Sequence, residues 1–252
     1  MKILGIRVDS VNMIESLSRI GELIKSKKPA QIITLNAEIL YNAQEDEKTK
    51  TVIEHAAMVT PDGAGILWAA SKIGHPLKER VTGIDLLQEL CKQAPYSGWK
   101  LYFLGAAPKV AQTAAAKLRE QNPAIQIVGT HDGYFNKEEE FNILADIAEK
   151  KPDLLFVAMG APRQDIWIYD HQTDLPPLVA MGVGGSFDVV AGVAKRAPAS
   201  FQRLKVEWLW RLLKQPSRIG RMMALPKFVL AVNHAHRKSQ KIQAEMKRRR
   251  LP

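Results

Sequence analysis

The chain has 252 residues but a single cysteine, Cys91, so no intramolecular disulfide can form. Disulfides persist mainly in oxidising compartments, and their absence favours a reducing one. A long uncharged apolar run is also missing, because the most apolar long window, residues 177–194, contains Asp188 and four glycines. That window fits a buried strand and its loop better than a membrane span. Arg7 and Asp9 interrupt the N-terminus too early for a signal peptide, so we expect a cytoplasmic protein.

Several ligand-binding motifs are absent as well. The nearest dinucleotide fingerprint, Gly182-x-Gly184-x-x-Phe187, lacks its third glycine, and no Walker pattern occurs. The six histidines form no ligand spacing, and His234 and His236 lie in a basic segment without nearby cysteine or carboxylate. No Asp-x-Asp pair is present to hold a divalent metal. We therefore expect no cofactor and no metal, with any phosphate met by Arg, Lys or helix N-termini.

Charge is distributed unevenly along the chain. Residues 196–252 hold 15 of the 36 basic and 2 of the 26 acidic residues, a net charge of +13. Residues 1–195 hold the other 21 basic and 24 acidic residues, a net charge of −3. The basic segment also carries large apolar side chains, including Trp208 and Trp210, which a merely solubilising tail usually lacks. Such a segment fits an anionic membrane surface, a nucleic acid or a polyphosphate ligand.

Short apolar runs alternate with amphipathic segments through most of the chain. Strands are predicted at Lys2–Val8, Gln31–Leu35, Ala56–Val59, Trp99–Leu104, Ile125–Val128, Asp153–Met159 and Leu178–Met181. Because these strands are apolar on both faces, the pattern predicts an α/β fold, a Rossmann-like open parallel sheet with helices on both faces. From Pro198 onward the pattern is helical only, and we divide the chain into a core, 1–195, and a basic amphipathic helical appendage, 196–252. Residues 237–250 are expected to be poorly ordered.

Polar residues and glycines follow the strand ends, where ligands bind in open α/β sheets. Asp62 stands in the turn Pro61-Asp62-Gly63, which is also ordinary turn chemistry, so a catalytic role for it depends on its neighbours. The other candidate positions are Thr34, Asn36, Gly105, Asp132, Tyr134, Arg163, Gln164 and the run Gly182–Asp188, which includes Gly184 and Gly185. Glycine at such a loop lets backbone amides approach phosphate, although close packing is the commoner reason for it.

Eight of these segments, in order and with their spacing, resemble the WecG/TagA/CpsF glycosyltransferases. They are Thr34-Leu-Asn36, Thr60-Pro-Asp-Gly63, Arg80-Val-Thr-Gly83, Phe103-Leu-Gly105, Asp132-Gly-Tyr134, Gly160-Ala-Pro-Arg-Gln164, Gly182-Val-Gly-Gly-Ser-Phe-Asp188 and Arg196-Ala-Pro198. Each motif is weak alone, whereas the ordered set is specific. The likeness covers Ile3 to about Leu225, and the chain beyond is unmatched.

The resemblance implies an inverting enzyme at the cytoplasmic face of the membrane. Such an enzyme transfers N-acetylmannosamine from its UDP donor to undecaprenyl-diphosphate-linked N-acetylglucosamine, forming the β-1,4 linkage disaccharide of wall teichoic acid. The resemblance also implies that the appendage meets the membrane as a peripheral contact. No nucleic-acid partner is implied, and association with a second copy of the chain stays open.

Site roles are carried over from the family position by position. The resemblance implies that Asp62 is the general base and that Thr34, Asn36 and Gln164 lie near the reacting sugars. The expected donor contacts are Gly105, Tyr134, Arg163, Gly184, Gly185, Asp188 and Lys195, of which Tyr134, Asp188 and Lys195 hold the uridine nucleotide. The acceptor diphosphate is expected to contact Arg80, Arg211, Arg218 and Arg221.

Three alternatives remain at this point. A member of the same family could use another donor, such as UDP-N-acetylmannosaminuronic acid or UDP-glucose, in the synthesis of a different surface polysaccharide. A nucleic-acid-binding protein could use the basic segment to follow phosphates, although no nucleic-acid module is recognisable. A redox enzyme is disfavoured by the incomplete glycine fingerprint.

Overall fold

The computed structural model contains a six-stranded parallel sheet with helices on both faces, which confirms the predicted fold class. It describes residues 1–198, 200–201, 207–214 and 219–249, with the backbone alone at 211, 214, 221, 239 and 242–249. The sheet has the order β4-β3-β8-β7-β5-β6. Its strands are β3 (Ala30–Leu35), β4 (Met58–Pro61), β5 (Lys100–Gly105), β6 (Gln126–His131), β7 (Leu154–Ala158) and β8 (Val179–Gly182).

Alternate residues of the strands face opposite sides of the sheet, and helices cover both sides. Ile32 and Phe156 belong to one buried cluster, whereas Ile33 and Leu155 belong to clusters on the other face. The helices of the core are α1 (Met13–Lys25), α2 (Ala37–Asn42), α3 (Glu47–His55), α4 (Ala64–Lys72), α5 (Gly83–Ser97), α6 (Val110–Gln121), α7 (Lys137–Lys150), α8 (Arg163–Asp170) and α9 (Ser186–Val190). Two-sided burial is the reason that the strands read as continuous apolar runs.

The N-terminal prediction is wrong. Instead of one strand over Lys2–Val8, the chain forms the antiparallel hairpin β1 (Lys2–Ile3) and β2 (Ile6–Arg7), outside the main sheet. Leu4 and Gly5 make the turn with φ of 49° and 83°, the left-handed values that a tight hairpin turn uses. Ile3 and Ile6 are nevertheless buried. The apolar pattern therefore indicated correctly that these residues are buried, but it did not show that they lie outside the main sheet.

After the core, the described residues form α10 (Glu207–Lys214), α11 (Ile219–Met222) and α12 (Ala224–Arg249). Poor order was predicted for residues 237–250, of which residues 237–249 belong to α12, and that expectation stays a prediction. Lysine, glutamine, alanine and arginine dominate this stretch, and all are good helix formers. Through Phe228 and Val232, α12 also joins the buried cluster that contains α2 and α4.

Among the described residues, no helix combines the length and the apolar character that crossing a bilayer requires.

Candidate active site

The predicted loops converge on one edge of the sheet. Because the strands are parallel, their carboxyl ends lie side by side, in the strand order already given. The loops after β4 and β3 carry Asp62 and Asn36. Gly184 and Tyr134 follow β8 and β6, Gln164 lies at the start of α8 after β7, and Gly105 is the last residue of β5. The parallel sheet thus brings together residues that are as many as 148 positions apart in sequence, Asn36 and Gly184.

Asp62 is half-buried directly beyond the last residue of β4, and backbone contacts hold its loop on both sides. Its N–H donates to the carbonyl of Leu35 at 2.8 Å. Its Oδ2 atom accepts the N–H of Gly83, the first residue of α5, at 3.1 Å. A backbone N–H at a helix N-terminus favours the ionised form of a carboxylate. The turn therefore presents at the sheet edge a carboxylate whose position is fixed by backbone hydrogen bonds.

Thr34 and Asn36 flank this carboxylate at the end of β3. Asn36 caps α2, and its Oδ1 atom accepts the N–H of Ile39 at 2.9 Å. Thr34 is buried, and a Cβ added at Gly83 would lie 3.1 Å from its Oγ1 atom. Gly83 therefore permits α5 to begin close to β3, next to Asp62.

Gln164 joins two of the loops. Its Oε1 atom accepts the N–H of Gly160, after β7, at 3.1 Å and that of Gly184, after β8, at 2.9 Å. The side chain is only 4% exposed. Its oxygen is thus used in holding the two loops at a fixed separation, a geometry that sequence spacing does not reveal.

Asp165 was not singled out from the sequence, yet it is buried beside Gln164. Burial raises the pKa of Asp165 to about 7, and a hydrogen bond with Gln164 opposes that rise. Its backbone carbonyl accepts a hydrogen bond from Gln31 on β3 at 2.8 Å. A side chain at Gly182 would collide with both Asp165 and Gln164, so this glycine is required by packing. The sequence signal that could have identified Asp165 is its position directly after Gln164, the last residue of a motif shared with the family.

We predict that Asp165→Asn changes the pH dependence of stability. The raised pKa of Asp165 means that the folded protein holds a proton that the unfolded chain releases at about pH 4. The free energy of unfolding of the natural protein should therefore fall by up to about 4 kcal/mol as the pH rises from about 4 to about 7. The variant should not show this fall. Urea denaturation at several pH values measures it. Asp170→Asn, at an exposed position of the same helix, is the control. Parallel pH curves for Asp165→Asn and the natural protein would contradict the prediction.

The predicted donor contacts lie along the middle and far side of the same edge. Gly105 has φ of 122° and pairs with Ala158, and a Cβ there would lie 2.5 Å from the carbonyl oxygen of Ala158. The close approach of the Ala158 backbone is therefore enough to explain why position 105 is a glycine. Tyr134 is 74% exposed, and the guanidinium of Arg163 donates to the carbonyl of Gly133 at 3.4 Å. Gly185 and Lys195 are exposed, and Asp188 is half-buried on α9.

The predicted acceptor contact Arg80 is engaged in an ion pair. Its guanidinium lies 3.2 Å from the carboxylate of Glu207 on α10, and both side chains are mostly shielded from solvent. Arg218 lies outside the described residues, as do the side chains of Arg211 and Arg221. The Arg80–Glu207 pair joins the appendage to the segment that precedes α5, close to Asp62.

Two further features bear on the chemistry. Among the residues that the structure describes, no cluster of three or more His, Cys, Asp and Glu is suited to hold a metal ion. Cys91 is buried in α5, and burial raises the pKa of its thiol to about 12, which makes it a poor nucleophile.

Comparison with known proteins identifies the relatives of this chain. The model of the glycosyl transferase WecG/TagA/CpsF family matches residues 1–242, further than the expected limit near Leu225. An N-acetylglucosaminyldiphosphoundecaprenol N-acetyl-beta-D-mannosaminyltransferase of Bacillus spizizenii is 38% identical over 218 residues, 86% of this chain and 84% of the relative. A protein of the same name from Staphylococcus aureus strain MW2 is 35% identical over 241 residues, 95% of this chain and 94% of the relative.

Proposed function

The chain belongs to the WecG/TagA/CpsF glycosyltransferase family, and on that premise we propose that it is an N-acetylmannosaminyltransferase. It moves N-acetylmannosamine from UDP to N-acetylglucosamine carried on undecaprenyl diphosphate, an early step of wall teichoic acid synthesis. The names of its relatives, at 35–38% identity over most of the chain, support this substrate pair. The observation that carries the mechanism is the Asp62 carboxylate, held by the N–H of Gly83 at the sheet edge.

In the proposed reaction the 4-hydroxyl of the acceptor sugar attacks the anomeric carbon of the donor sugar. The new bond joins that oxygen to the anomeric carbon, and the bond from the anomeric carbon to the UDP oxygen breaks with inversion. Asp62 takes the hydroxyl proton, as a general base within hydrogen-bond reach would do. UDP leaves with the bonding electron pair, so charge develops on its diphosphate. The donor and acceptor sugars are proposed to meet near Thr34 at the end of β3, Asn36 before α2 and Gln164 at the start of α8.

Cationic side chains and backbone amides are proposed to stabilise that diphosphate charge. The sequence lacks the Asp-x-Asp pair that would hold a divalent metal, and preorganised donors of this kind can supply several kcal/mol in the transition state. On the donor side the candidates are the amides of the glycine-rich loop at Gly184 and Gly185, with Arg163. On the acceptor side they are Arg80, Arg211, Arg218 and Arg221, and Arg80 would have to exchange Glu207 for the acceptor phosphates.

The appendage is proposed to place the site at the cytoplasmic surface of the membrane. Exposed apolar residues of the appendage support this: Trp208, Leu213, Ile219, Met223 and Leu230. The net charge of +13 over residues 196–252 adds attraction to anionic lipid, at ~1 kcal/mol per Lys or Arg near the surface. Apolar anchors with flanking basic residues are typical of helices that lie in the interface plane.

A release assay tests the reaction. The full chain is incubated with a short-chain lipid-diphosphate N-acetylglucosamine and a panel of UDP-sugars, and UDP is measured. We expect release with UDP-N-acetylmannosamine and little with UDP-glucose or UDP-N-acetylmannosaminuronic acid. EDTA should leave the rate unchanged. Preference for another UDP-sugar would contradict the proposed donor and assign the protein to a different activity within the family. Inactivation by EDTA that Mg²⁺ reverses would contradict the metal-free mechanism.

A sedimentation assay tests the membrane contact. The protein should pellet with vesicles that contain phosphatidylglycerol, and less so as salt rises, because surface attraction is screened. Neutral phosphatidylcholine vesicles are the matched control. A salt-sensitive mobility shift with DNA, combined with no vesicle binding, would favour the nucleic-acid interpretation instead.

A further inference from the structure

We propose that Arg196 and Asp85 form a positioning pair for the Asp62 carboxylate. The proposal deepens the proposed function and rests on it for the role of Asp62 as the base. Neither Arg196 nor Asp85 need touch the substrate. Together they hold the first turn of α5, whose leading N–H binds Asp62, and so they set the direction of that carboxylate.

A chain of short contacts runs from Asp62 to Asp85. Gly83, which binds Oδ2 of Asp62, follows the N-cap residue Thr82. The Thr82 hydroxyl donates to Oδ2 of Asp85 at 2.5 Å, and the N–H of Asp85 donates back to that hydroxyl at 3.2 Å. The reciprocal bonds hold the first turn of the helix in one conformation. A shift of Asp85 would therefore move the Gly83 N–H that aims the base.

Arg196 holds Asp85 from the other side through one hydrogen bond and one ion-pair contact. Its Nη1 atom lies 2.7 Å from Oδ1 of Asp85, and its Nη2 atom donates to Oδ2 at 3.0 Å. The two side chains are 29% and 32% exposed, so the pair is more shielded than an ordinary surface salt bridge. A planar guanidinium in this arrangement fixes orientation as well as distance, which a lysine ammonium cannot do.

The guanidinium also lies within electrostatic reach of Asp62. Burial lowers the pKa of Arg196, but the hydrogen bond with Asp85 and the charges of Asp85, Glu207 and Asp62 raise it above its ordinary value. For Asp85, burial raises the pKa, whereas Arg196, Thr82 and the charge of Arg80 hold it below its ordinary value. The charged groups that act on this pair are thus Arg80, Glu207 and Asp62. Arg196 favours the ionised form of Asp62 that a base requires, and Asp85 limits that effect.

Arg196 is the first residue of the appendage, so its pair with Asp85 also connects the appendage to the core. Arg80–Glu207 and Arg196–Asp85 both hold the segment of residues 80–85 against parts of the chain beyond residue 195. The segment itself contacts the end of β4, where the N–H of Val81 donates to the carbonyl of Pro61 at 2.9 Å. The position of Asp62 is therefore stabilised, through residues 80–85, by Arg196 and Glu207, which are more than a hundred positions away in sequence.

The test uses the full chain and compares three single variants, Arg196→Gln, Asp85→Asn and Arg196→Lys. A double variant combines Arg196→Gln with Asp85→Asn. We expect each single variant to lower turnover at saturating substrates by ~10–10²-fold, the usual cost of a small misplacement of a reacting group. The acceptor KM and UDP affinity should stay within about twofold, since transition-state geometry alone is affected. The double variant should lose no more than the worse single variant, because the two residues act through one contact.

A carboxyl carbon NMR titration of Asp62 separates this proposal from the proposed function. Arg196→Gln should raise the pKa of Asp62, Asp85→Asn should lower it, and Arg196→Lys should leave it nearly unchanged while turnover falls. The acid limb of the pH–rate profile should move in the same directions. If the natural protein transfers no sugar, the proposed function fails, yet the titration still decides whether Arg196 and Asp85 act on Asp62.

The matched control is the pair Arg7 and Asp9, which makes two similar hydrogen bonds at 3.0 and 2.8 Å near the start of β4. Arg7→Gln and Asp9→Asn should change neither the Asp62 titration nor turnover. Full activity of Arg196→Lys, additive losses in the double variant, or an unchanged Asp62 titration in Arg196→Gln would each overturn the proposal. If Arg196→Gln does not fold, Arg196→Lys and Asp85→Asn carry the test.

Discussion

Asp62→Asn should give a folded protein whose turnover is lower by ~10²–10⁴-fold, the usual contribution of general-base catalysis. Asparagine has nearly the same shape, and its side-chain oxygen can still accept the N–H of Gly83 that now binds Oδ2 of Asp62 at 3.1 Å. The amide cannot take a proton from the acceptor hydroxyl. The loss should therefore appear in turnover with both substrates saturating, while UDP affinity changes little.

UDP release with the short-chain acceptor measures the turnover, and thermal unfolding by circular dichroism verifies the fold. Asp174→Asn, on an exposed position after α8, is the control for loss of one negative charge and should retain the activity of the natural protein. Near-normal turnover in Asp62→Asn would mean that Asp62 is a turn residue only. The base would then have to be sought among the other carboxylates of the site.

Phe228→Ala should lower the free energy of unfolding by about 3–5 kcal/mol, the usual cost of emptying a buried aromatic site. Phe228 is 1% exposed and contacts Trp68 of α4 edge to face, with ring centroids 6.4 Å apart. A Cβ added at Gly65 would lie 3.7 Å from its ring, so α4 and α12 approach closely at this point. The appendage helix thus completes the buried cluster on one face of the sheet.

Urea denaturation measures this effect, with Leu230→Ala as the matched control two residues further along the same helix. Leu230 is 69% exposed, and its removal should change stability by no more than about 0.5 kcal/mol. Equal effects of the two substitutions would contradict the packing of α12 against the core. Because α4 begins two residues after Asp62, loosening of α12 should also lower turnover before global unfolding.

The main sheet could be predicted from the sequence because its strands are buried on both faces. The run Leu154–Ala158 is apolar and buried at every position, as a parallel strand covered on both faces requires. The common edge for the loops then follows from parallel geometry without further information. At the N-terminus the same signal failed, because Ile3 and Ile6 are buried by a hairpin and not by the sheet.

Local sequence therefore determined the strands of the main sheet, the fold class, the turn at Asp62 and the family, because each depends on spacing within a few residues or on ordered motifs. Tertiary structure alone decided the strand order, the double contact of Gln164, the burial of Asp165 and the partners of Arg80 and Arg196. Arg80 pairs with a residue 127 positions away and Arg196 with one 111 positions away. The choice of such partners depends on how distant elements pack against each other, since hydrogen-bond geometry and shielding from water exist only after the chain has folded.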